Sequence, residues 1–518
     1  MPAINMSGLR VVPADSRVQD QPTEDHHVSS TVYGSREAAE GIPRFELRDE
    51  EMSAELAARF IRDELLLDGI PPLNLASFVT TYAEPEATQL MVENLCKNFI
   101  DVEEYPALGE IETRCVNMIA RLFNAPLDDH TSEAVGVSTV GSSEACMLAV
   151  LAAKRRWKNK RLAEGKPVDK PNIVMSAAVQ VVWEKAARYF EVDEKYWFVK
   201  KGEYAMNPKE AVDLVDENTI LLVGILGTTY TGHYEDIAEM NRLLLEKNEK
   251  EALDCHIHVD AASGGFVAPF VTPDLPWDFR LPLVCSINAS GHKYGLAVAG
   301  VGWAVWKNRS FLPDEVLFTV NYLGSPQVSF TLSFSKSGIQ VVHQYYQFLR
   351  LGRGGYTAIM KNLIKTADYL GDEVLKIGDG MFELLSEKKG KGLPLVAWRI
   401  NADKPYDEFA IAAHLRQRGW IVPAYTMAPH TEQLKLLRVV VREDFTRSRA
   451  DTFLRDLKEA VHYLENAPTE VQKHMSKSQA AGDTSSPHHP IHHSKRHTVH
   501  LHEKHSLAGR HGKTHAVC

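Results

Sequence analysis

Short runs of apolar residues, each ending in small or polar residues, recur through the middle of the chain. Residues 220–226 (ILLVGIL) and 255–259 (CHIHV) have this pattern, which is typical of strands buried inside an α/β sheet. Residues 395–400, 420–423 and 437–441 predict further strands interleaved with helices, and an amphipathic helical pattern begins at residue 54. The pattern therefore predicts an α/β fold with a large domain at residues 59–350 and a smaller C-terminal α/β domain at 351–466. An N-terminal arm at 1–58 and a tail at 467–518 complete this division.

Two motifs lie where such strands end. HVDAASGG at 258–265 places Asp260 after the strand at 255–259, and SGHKYG at 290–295 contains Lys293. Ligands of open α/β sheets collect at the carboxyl ends of strands. A lysine can hold an aldehyde as a Schiff base, and an aspartate facing a pyridine nitrogen keeps that nitrogen protonated. Each motif alone is also typical of a surface lysine or a turn, but together they indicate a pyridoxal 5'-phosphate (PLP) site in the large domain.

A third motif could bind the phosphate of such a cofactor. STVGSSEACM at 138–147 puts small polar residues directly before a helix-forming stretch. The free amides and the dipole of a helix start suit an anion. Read alone, Ser142 is equally well explained as a helix cap. Beside Lys293 and Asp260, the phosphate interpretation is favoured.

Composition narrows the class of protein. The chain has 518 residues and a net charge of -10, which argues against nucleic acid binding as the main function. We find no apolar stretch long enough to span a bilayer and, in residues 1–30, no pattern of a secretory signal. Six scattered cysteines fit reduced thiols better than a disulfide framework or a zinc site. We therefore expect a cytoplasmic protein without a membrane segment or a metal site.

The C-terminal tail differs in kind from the rest of the chain. Half of the 22 histidines lie from residue 473 onward, where the net charge is about +5 and aromatic residues are absent. Such a segment cannot bury enough apolar surface to fold alone, so we expect residues 467–518 to be disordered. A response to pH and adventitious metal binding both remain open for it. The tail lacks the large apolar anchors of a calmodulin target.

Five segments together give a family resemblance that runs from about residue 43 to about residue 466. They are NLASF at 74–78, NFID at 98–101 with EEYP at 103–106, GSSEA at 141–145, DAASGGF at 260–266 and SGHK at 290–293. The chain resembles glutamate decarboxylases, which are group II PLP-dependent amino acid decarboxylases of fold type I. The resemblance implies a large domain with a mixed, mostly parallel sheet. It also implies conversion of L-glutamate to 4-aminobutanoate and CO2.

The resemblance also implies roles for residues around the cofactor. Lys293 would form the Schiff base, Asp260 would pair with the pyridinium, and Ala262 would lie under the ring. Gln180 would stack on the other face, and Thr229 would approach the 3-hydroxyl. The phosphate end would be held by Ser142, Ser143, Ser290 and His292, with Ser335 from a neighbouring subunit. The catalytic residues are then Lys293, His292 and Tyr322, of which Tyr322 lies in the segment that resembles a mobile loop and is a candidate proton donor or lid.

Substrate selection follows from where the two carboxylates of glutamate are placed. By the resemblance, Arg438 receives the α-carboxylate, although an arginine inside a strand is also typical of a sheet edge or an ion pair. The distal carboxylate would meet Ser77, the Phe78 amide and Asp101 of the adjacent subunit. Two facing carboxyl groups must share a proton, which favours mildly acidic operation.

Two features of the chain depart from some relatives. Ser77 replaces a threonine but keeps its hydroxyl, and Lys336 replaces an arginine, whose planar bidentate contact it cannot reproduce. We expect a homodimer at least, and leave open whether dimers assemble into a hexamer. An aromatic or aspartate decarboxylase would share Asp260 and Lys293 but need another distal pocket, and a catalytically silent relative would have lost one of the motifs.

Overall fold

A computed structural model describes residues 42–320 and 327–480 of the chain. The described residues up to Gly69 form one compact unit and those from Ile70 onward form a second. In the first unit, helix α1 (Ala54–Leu65) begins at Ser53, whose side chain accepts a hydrogen bond from the Leu56 amide. The second unit contains all the remaining elements and the whole of the cavity described below.

Seven strands form the main sheet of the second unit, in the order β1-β7-β6-β5-β4-β2-β3. Only β7 runs against its neighbours β1 and β6, and the other pairs are parallel. The strands are β1 (Val135–Thr139), β2 (Asn172–Ser176), β3 (Asp193–Trp197), β4 (Thr219–Ile225), β5 (Ile257–Asp260), β6 (Val284–Ala289) and β7 (Gly302–Trp306). All residues of β4, β5, β6 and β7 are buried, as expected for a sheet covered by helices on both faces. The predicted mixed, mostly parallel α/β sheet is confirmed.

Helices connect and cover these strands. They are α2 (Pro85–Glu93), α3 (Pro106–Leu122), α4 (Ser142–Ala163), α5 (Val181–Tyr189), α6 (Pro208–Asp213), α7 (Ile237–Glu251), α8 (Ala268–Val271) and α9 (Ile339–Val374). Helix α9 is interrupted at Gly352, which has φ 54° and ψ -173°. The parallel pairs of the main sheet require such crossover connections. None of the helices in the described ranges is long and apolar enough to cross a bilayer.

A second sheet follows in the C-terminal part. Its four antiparallel strands have the order β10-β11-β13-β12, after a two-stranded ribbon of β8 (Phe318–Val320) and β9 (Gln327–Ser329). The strands of the sheet are β10 (Phe382–Leu384), β11 (Leu395–Ile400), β12 (Ala424–Thr426) and β13 (Lys435–Val440), with helices α10 (Glu408–Arg416), α11 (Arg447–Asn466) and α12 (Thr469–Ala480). This sheet packs within the same compact unit as the main sheet.

Several expected boundaries differ from the structure. The division at residues 58 and 59 falls inside α1, and the division at 350 and 351 falls inside α9, next to its break at Gly352. The strand expected at 420–423 is wrong, since Ile421 makes only an isolated bridge to Asn74 and the strand begins at Ala424. Residues 420–423 are apolar because Trp420 and Val422 are core residues, and burial alone does not require a strand.

The start of the expected disordered tail is also wrong. Residues Thr469–Ala480 form α12, on which Met475 packs against the main core. Gln472 is buried and donates to the Leu464 carbonyl, and the Asp407 amide donates to the Ser476 hydroxyl. These tertiary contacts stabilise a helix that composition alone did not predict. Residues 481–518 lie outside the described ranges, as do the tail's expected responses to pH and metal.

Candidate active site

A cavity of about 330 Å³ opens at the carboxyl ends of the central strands. Eleven of the residues named from the sequence line it: Ser77, Phe78, Ser142, Ser143, Gln180, Thr229, Asp260, Ala262, His292, Lys293 and Arg438. They come from positions between 77 and 438 of the chain, so the fold rather than local sequence assembles them. Ser290 is fully buried three residues before Lys293.

Lys293 lies on the wall of this cavity. Its Nζ donates to the Ser263 hydroxyl at 3.2 Å and lies 5.3 Å from the centroid of the Phe78 ring. Burial lowers the pKa of the Lys293 ammonium, while the nearby Asp260 carboxylate opposes that shift. A lowered pKa raises the fraction of neutral amine, which is the nucleophilic form of lysine. Lys293 is therefore suited to attack an aldehyde carbon.

Asp260 lies at the end of β5 and is 6% exposed. Its Oδ2 accepts from Trp183 Nε1 at 2.7 Å, and its Oδ1 accepts from Asn288 Nδ2 at 3.0 Å and from the Ala262 amide at 3.1 Å. Hydrogen bonds to a carboxylate favour its charged form and offset the cost of burial. Asp260 therefore presents an anion to the cavity.

The start of α4 also lines the cavity, through Gly141, Ser142 and Ser143. Gly141 precedes the helix with φ 122° and ψ 172°, and no side chain caps the first amides. A Cβ at Gly141 would lie 3.1 Å from His292 Cε1, so glycine is required by both its backbone angle and its close approach. The alternative that Ser142 caps this helix is wrong, because Ser142 is the first helical residue and makes no capping hydrogen bond.

Buried polar atoms around this helix start fit a bound phosphate. Ser290 Oγ and His292 Nδ1 are both buried and have no hydrogen-bond partner among the described residues. Burial, with Lys293 nearby, lowers the pKa of His292 to about 4, so its ring is neutral near pH 7. Buried polar atoms are normally satisfied, and a phosphate among the α4 amides could accept from the Ser290 hydroxyl and from His292 in the neutral tautomer that carries its hydrogen on Nδ1. The residues present therefore fit PLP, because the candidate anion site, Lys293 and the Asp260 carboxylate line one cavity.

Three further residues expected around a cofactor ring line the same cavity. Gln180 precedes α5, where its side chain accepts from the Val182 amide at 2.7 Å. Ala262 lies two residues after Asp260, at the start of a turn. Thr229 lies in the loop after β4, and its carbonyl accepts a hydrogen bond from Arg438. The structure thus brings all three together, and their individual roles stay predictions.

Arg438 reaches the cavity from the second sheet. It is 5% exposed on β13, which lies between β11 and β12, so a position at a sheet edge is excluded. Its guanidinium donates to the carbonyls of Thr229 and Ala76, lies 4.9 Å from the centroid of the Phe78 ring, and leaves Nε buried without a partner among the described residues. No ion pair within 4.0 Å joins it to a carboxylate in the described part of the chain. Arg438 therefore offers a positive charge to the cavity beside Phe78.

Besides the buried Ser290, two described residues of the expected site, Asp101 and Ser335, do not line this cavity. Asp101 is half-buried in the turn before α3, and Ser335 is exposed and accepts from Asn98 Nδ2 at 3.4 Å. Both were expected to act on a neighbouring subunit, and that role stays a prediction. Tyr322 lies outside the described residues.

The sequence did not point to several residues that support the site. Trp183, Asn288 and His258 surround Asp260, and Arg442 donates to the carbonyls of Asn74 and Ser77 at 2.7 Å each. A signal was present in the strands, because His258 alternates with Asp260 and Ser286 alternates with Asn288. Alternate residues of a strand share one face.

Comparisons with known proteins agree with this geometry. Residues 52–401 match the model of the pyridoxal-dependent decarboxylase conserved domain. A glutamate decarboxylase of Petunia hybrida is 52% identical over 460 residues, which are 88% of this chain and 91% of that protein. A glutamate decarboxylase of Aliivibrio fischeri is 43% identical and covers 84% of this chain and 93% of its own length.

Solved structures give the same result. Glutamate decarboxylase of Lactobacillus brevis superposes with a TM-score of 0.81 at 41% identity, over 84% of this chain and 98% of that chain. A sphingosine-1-phosphate lyase of Burkholderia pseudomallei has a TM-score of 0.69 at 23% identity, over 87% of this chain and 100% of that chain, and shares the fold. The resemblance inferred from the five motifs is confirmed.

Proposed function

The chain belongs to the pyridoxal-dependent decarboxylase family, and from that premise we propose that it converts L-glutamate to 4-aminobutanoate and CO2. When bound, PLP supplies an electron sink for the bond that breaks at Cα. The residues of this chain bind the cofactor and substrate, orient the bond that breaks, and control protons at the reacting atoms. Lys293, Asp260 and the α4 start are proposed to hold PLP, with Ser142, Ser143, Ser290 and His292 at its phosphate.

The observation that carries the proposal is the convergence of Lys293, Asp260 and Arg438 on one cavity. Lys293 and Asp260 match the two ends of a pyridine aldehyde. Arg438 adds a fixed cation near Lys293, with two guanidinium nitrogens held by backbone carbonyls and a buried Nε that has no partner among the described residues. We propose that an amino acid bound at the cofactor in place of Lys293 presents its α-carboxylate to this guanidinium, a group that binds carboxylates in planar geometry.

The distal carboxylate of glutamate needs donors of its own. We assign it to the Ser77 hydroxyl and the Phe78 amide, which lie on the cavity wall beside Arg438, and to Asp101 of the partner subunit. The Ser77 hydroxyl already accepts from the Val79 amide at 3.1 Å, so its own proton is free to be donated. Aspartate is one methylene shorter, so we expect it to satisfy only one of these two groups and to leave buried polar groups unpaired.

Proton control follows from the same residues. The lowered pKa of Lys293 favours its neutral form, and with PLP bound the Asp260 carboxylate would hold a proton at the pyridine nitrogen. Tyr322 remains the proposed donor of the proton that replaces CO2 at Cα.

We propose further that the protein is cytoplasmic and acts as a homodimer at least. The five cysteines in the described ranges are all free thiols, which supports a reducing compartment. The dimer is proposed because Asp101 and Ser335 of one subunit are expected to complete the site of the other. Sedimentation equilibrium of the purified protein measures its oligomeric state. A stable, active monomer would contradict the proposed homodimer.

The decisive experiment offers glutamate and aspartate separately to purified protein, with and without added PLP, and measures CO2 and amine products. We expect 4-aminobutanoate from glutamate only, and loss of PLP-dependent turnover in Lys293→Ala. Lys307→Ala is the matched control, because Lys307 is also partly buried and also donates to backbone carbonyls, at 2.9 and 3.0 Å, but does not line the cavity. Turnover of aspartate alone, or full activity of Lys293→Ala, would contradict the proposal.

A further inference from the structure

Four polar side chains form a hydrogen-bonded row on one face of the central sheet. Strands β5 and β6 are parallel neighbours in which His258 pairs with Ser286 and Asp260 pairs with Asn288. Since alternate residues of a strand point to the same face, all four side chains meet there, and all are at most 6% exposed. Buried polar groups are normally hydrogen-bonded, and these four satisfy one another.

The row ends on the carboxylate that faces the cavity. Asp260 Oδ1 accepts from Asn288 Nδ2 and from the Ala262 amide, and Asp260 Oδ2 accepts from Trp183 Nε1. A carboxylate has about four lone-pair positions, so these three donors leave about one position, on Oδ2. Because Asp260 lines the cavity, that position is available to a single donor located there.

The chemistry of the groups determines which atom is the donor in each hydrogen bond of the row. The Asn288 amide must turn its nitrogen to Asp260, because its oxygen would meet a carboxylate oxygen. Its Oδ1 then accepts at 2.8 Å from His258 Nε2, which must carry a hydrogen. Burial lowers the pKa of His258 to about 4, so the ring is neutral near pH 7. The remaining Nδ1 therefore accepts at 2.8 Å from the Ser286 hydroxyl.

We propose that Asn288 and Trp183 are positioning residues that hold Asp260 ionised and aimed at the pyridine nitrogen, and that Ser286 and His258 lock the Asn288 amide in its donating orientation. This inference rests on the cofactor part of the proposed function and is independent of the choice of substrate. Trp183 is fully buried, and its ring lies 5.2 Å from that of His258, so packing holds both donors in place. Losing a donor leaves the carboxylate less stabilised and more basic, so the shared proton moves from the pyridine nitrogen toward the carboxylate and the ionic pairing that holds the cofactor is lost.

The test is cofactor binding to apoprotein, measured by titration with PLP and separately from turnover. Removing one donor from a buried charge in Asn288→Ala or Trp183→Phe is expected to weaken PLP binding by about ten- to a hundredfold. Asn241→Ala is the matched control, since Asn241 is also buried, and its side chain accepts from the Leu283 amide at 2.9 Å away from Asp260. We expect that control to lose stability and keep its PLP affinity.

A second measurement, the protonation of the PLP ring nitrogen, distinguishes a positioning role of these residues from a role in packing the core. With PLP labelled with ¹⁵N at the ring, the resonance of that nitrogen is expected to shift from the protonated toward the neutral position in Asn288→Ala and in His258→Phe. In His258→Gln, the amide can still donate to Asn288 and accept from Ser286, so we expect partial recovery of both the resonance and the affinity.

Wild-type PLP affinity and an unshifted resonance in both Asn288→Ala and Trp183→Phe would overturn the proposal. So would loss of the fold in all of the Asn288, Trp183 and His258 variants, because the row would then serve the core. A wild-type protein that binds PLP but releases no CO2 from glutamate would instead count against the proposed function and leave this test intact.

Discussion

Arg442→Lys is expected to damage both the stability of the fold and the affinity for glutamate. Arg442 is 1% exposed and donates to three backbone carbonyls, those of Asn74 and Ser77 at 2.7 Å and that of Pro71 at 3.2 Å. It therefore holds the segment that carries Ser77 and Phe78 into the cavity. Lysine keeps the charge but not the planar fork, and it can replace about one of the three contacts.

The magnitude follows from the two contacts that lysine cannot make. Hydrogen bonds from charged donors contribute about 1.5–3 kcal/mol each, so the free energy of unfolding should fall by about 3–6 kcal/mol. A displacement of about 1 Å in the Ser77 segment is enough to cost about a hundredfold in catalysis. We expect KM for glutamate to rise by about tenfold or more while PLP affinity stays near the wild-type value, because the PLP-binding residues do not contact Arg442.

Urea denaturation and steady-state kinetics measure the two effects. Arg161→Lys is the matched control, since Arg161 is also buried and donates to the carbonyls of Pro167 and Glu217. It lies near the far end of α4, about 28 Å along the helix from the cavity. The control should lose stability without a change in KM. A wild-type KM in Arg442→Lys, or an equal rise in KM in both variants, would contradict the role of Arg442 in positioning the Ser77 segment.

Three further predictions concern the pH dependence and the two ends of the site. Burial raises the pKa of Glu235 to about 8, so between about pH 4.5 and 8 the folded chain keeps a proton that the unfolded chain releases, and stability falls as pH rises. The difference in unfolding free energy between wild type and Glu235→Gln should therefore shrink across that window, and a constant difference would contradict the assigned pKa. Gly141→Ala should weaken PLP binding, because the positive φ at this position costs about 1–3 kcal/mol in residues other than glycine. Gly165 also has a positive φ but open space around it, so the control Gly165→Ala should lose stability only. Equal PLP affinities in the two variants would contradict the proposed phosphate turn. Asp101→Asn should flatten the acid limb of the profile of decarboxylation rate against pH. An unchanged profile would contradict the proposal that Asp101 and the distal carboxylate share a proton.

The sequence by itself determined the fold class, the cofactor and the family, because their signals are local. Buried strands appear as contiguous apolar runs, and Asp260 and Lys293 lie in short motifs at strand ends, so a few adjacent residues carry the information. The same locality explains the errors. Residues 420–423 look like a strand because they are buried, and α12 does not look like a folded helix because its stabilising contacts come from other elements.

Only the tertiary structure decided which residues support the site. Trp183 donates to Asp260 across 77 positions of sequence, and Arg442 donates to Asn74 across 368. The sequence around either residue does not indicate its partner, since the local pattern around a buried tryptophan or arginine is the same whichever group its side chain contacts. Hydrogen bonds depend on distance and direction in space, and the chain sets those only after the sheet and helices have packed.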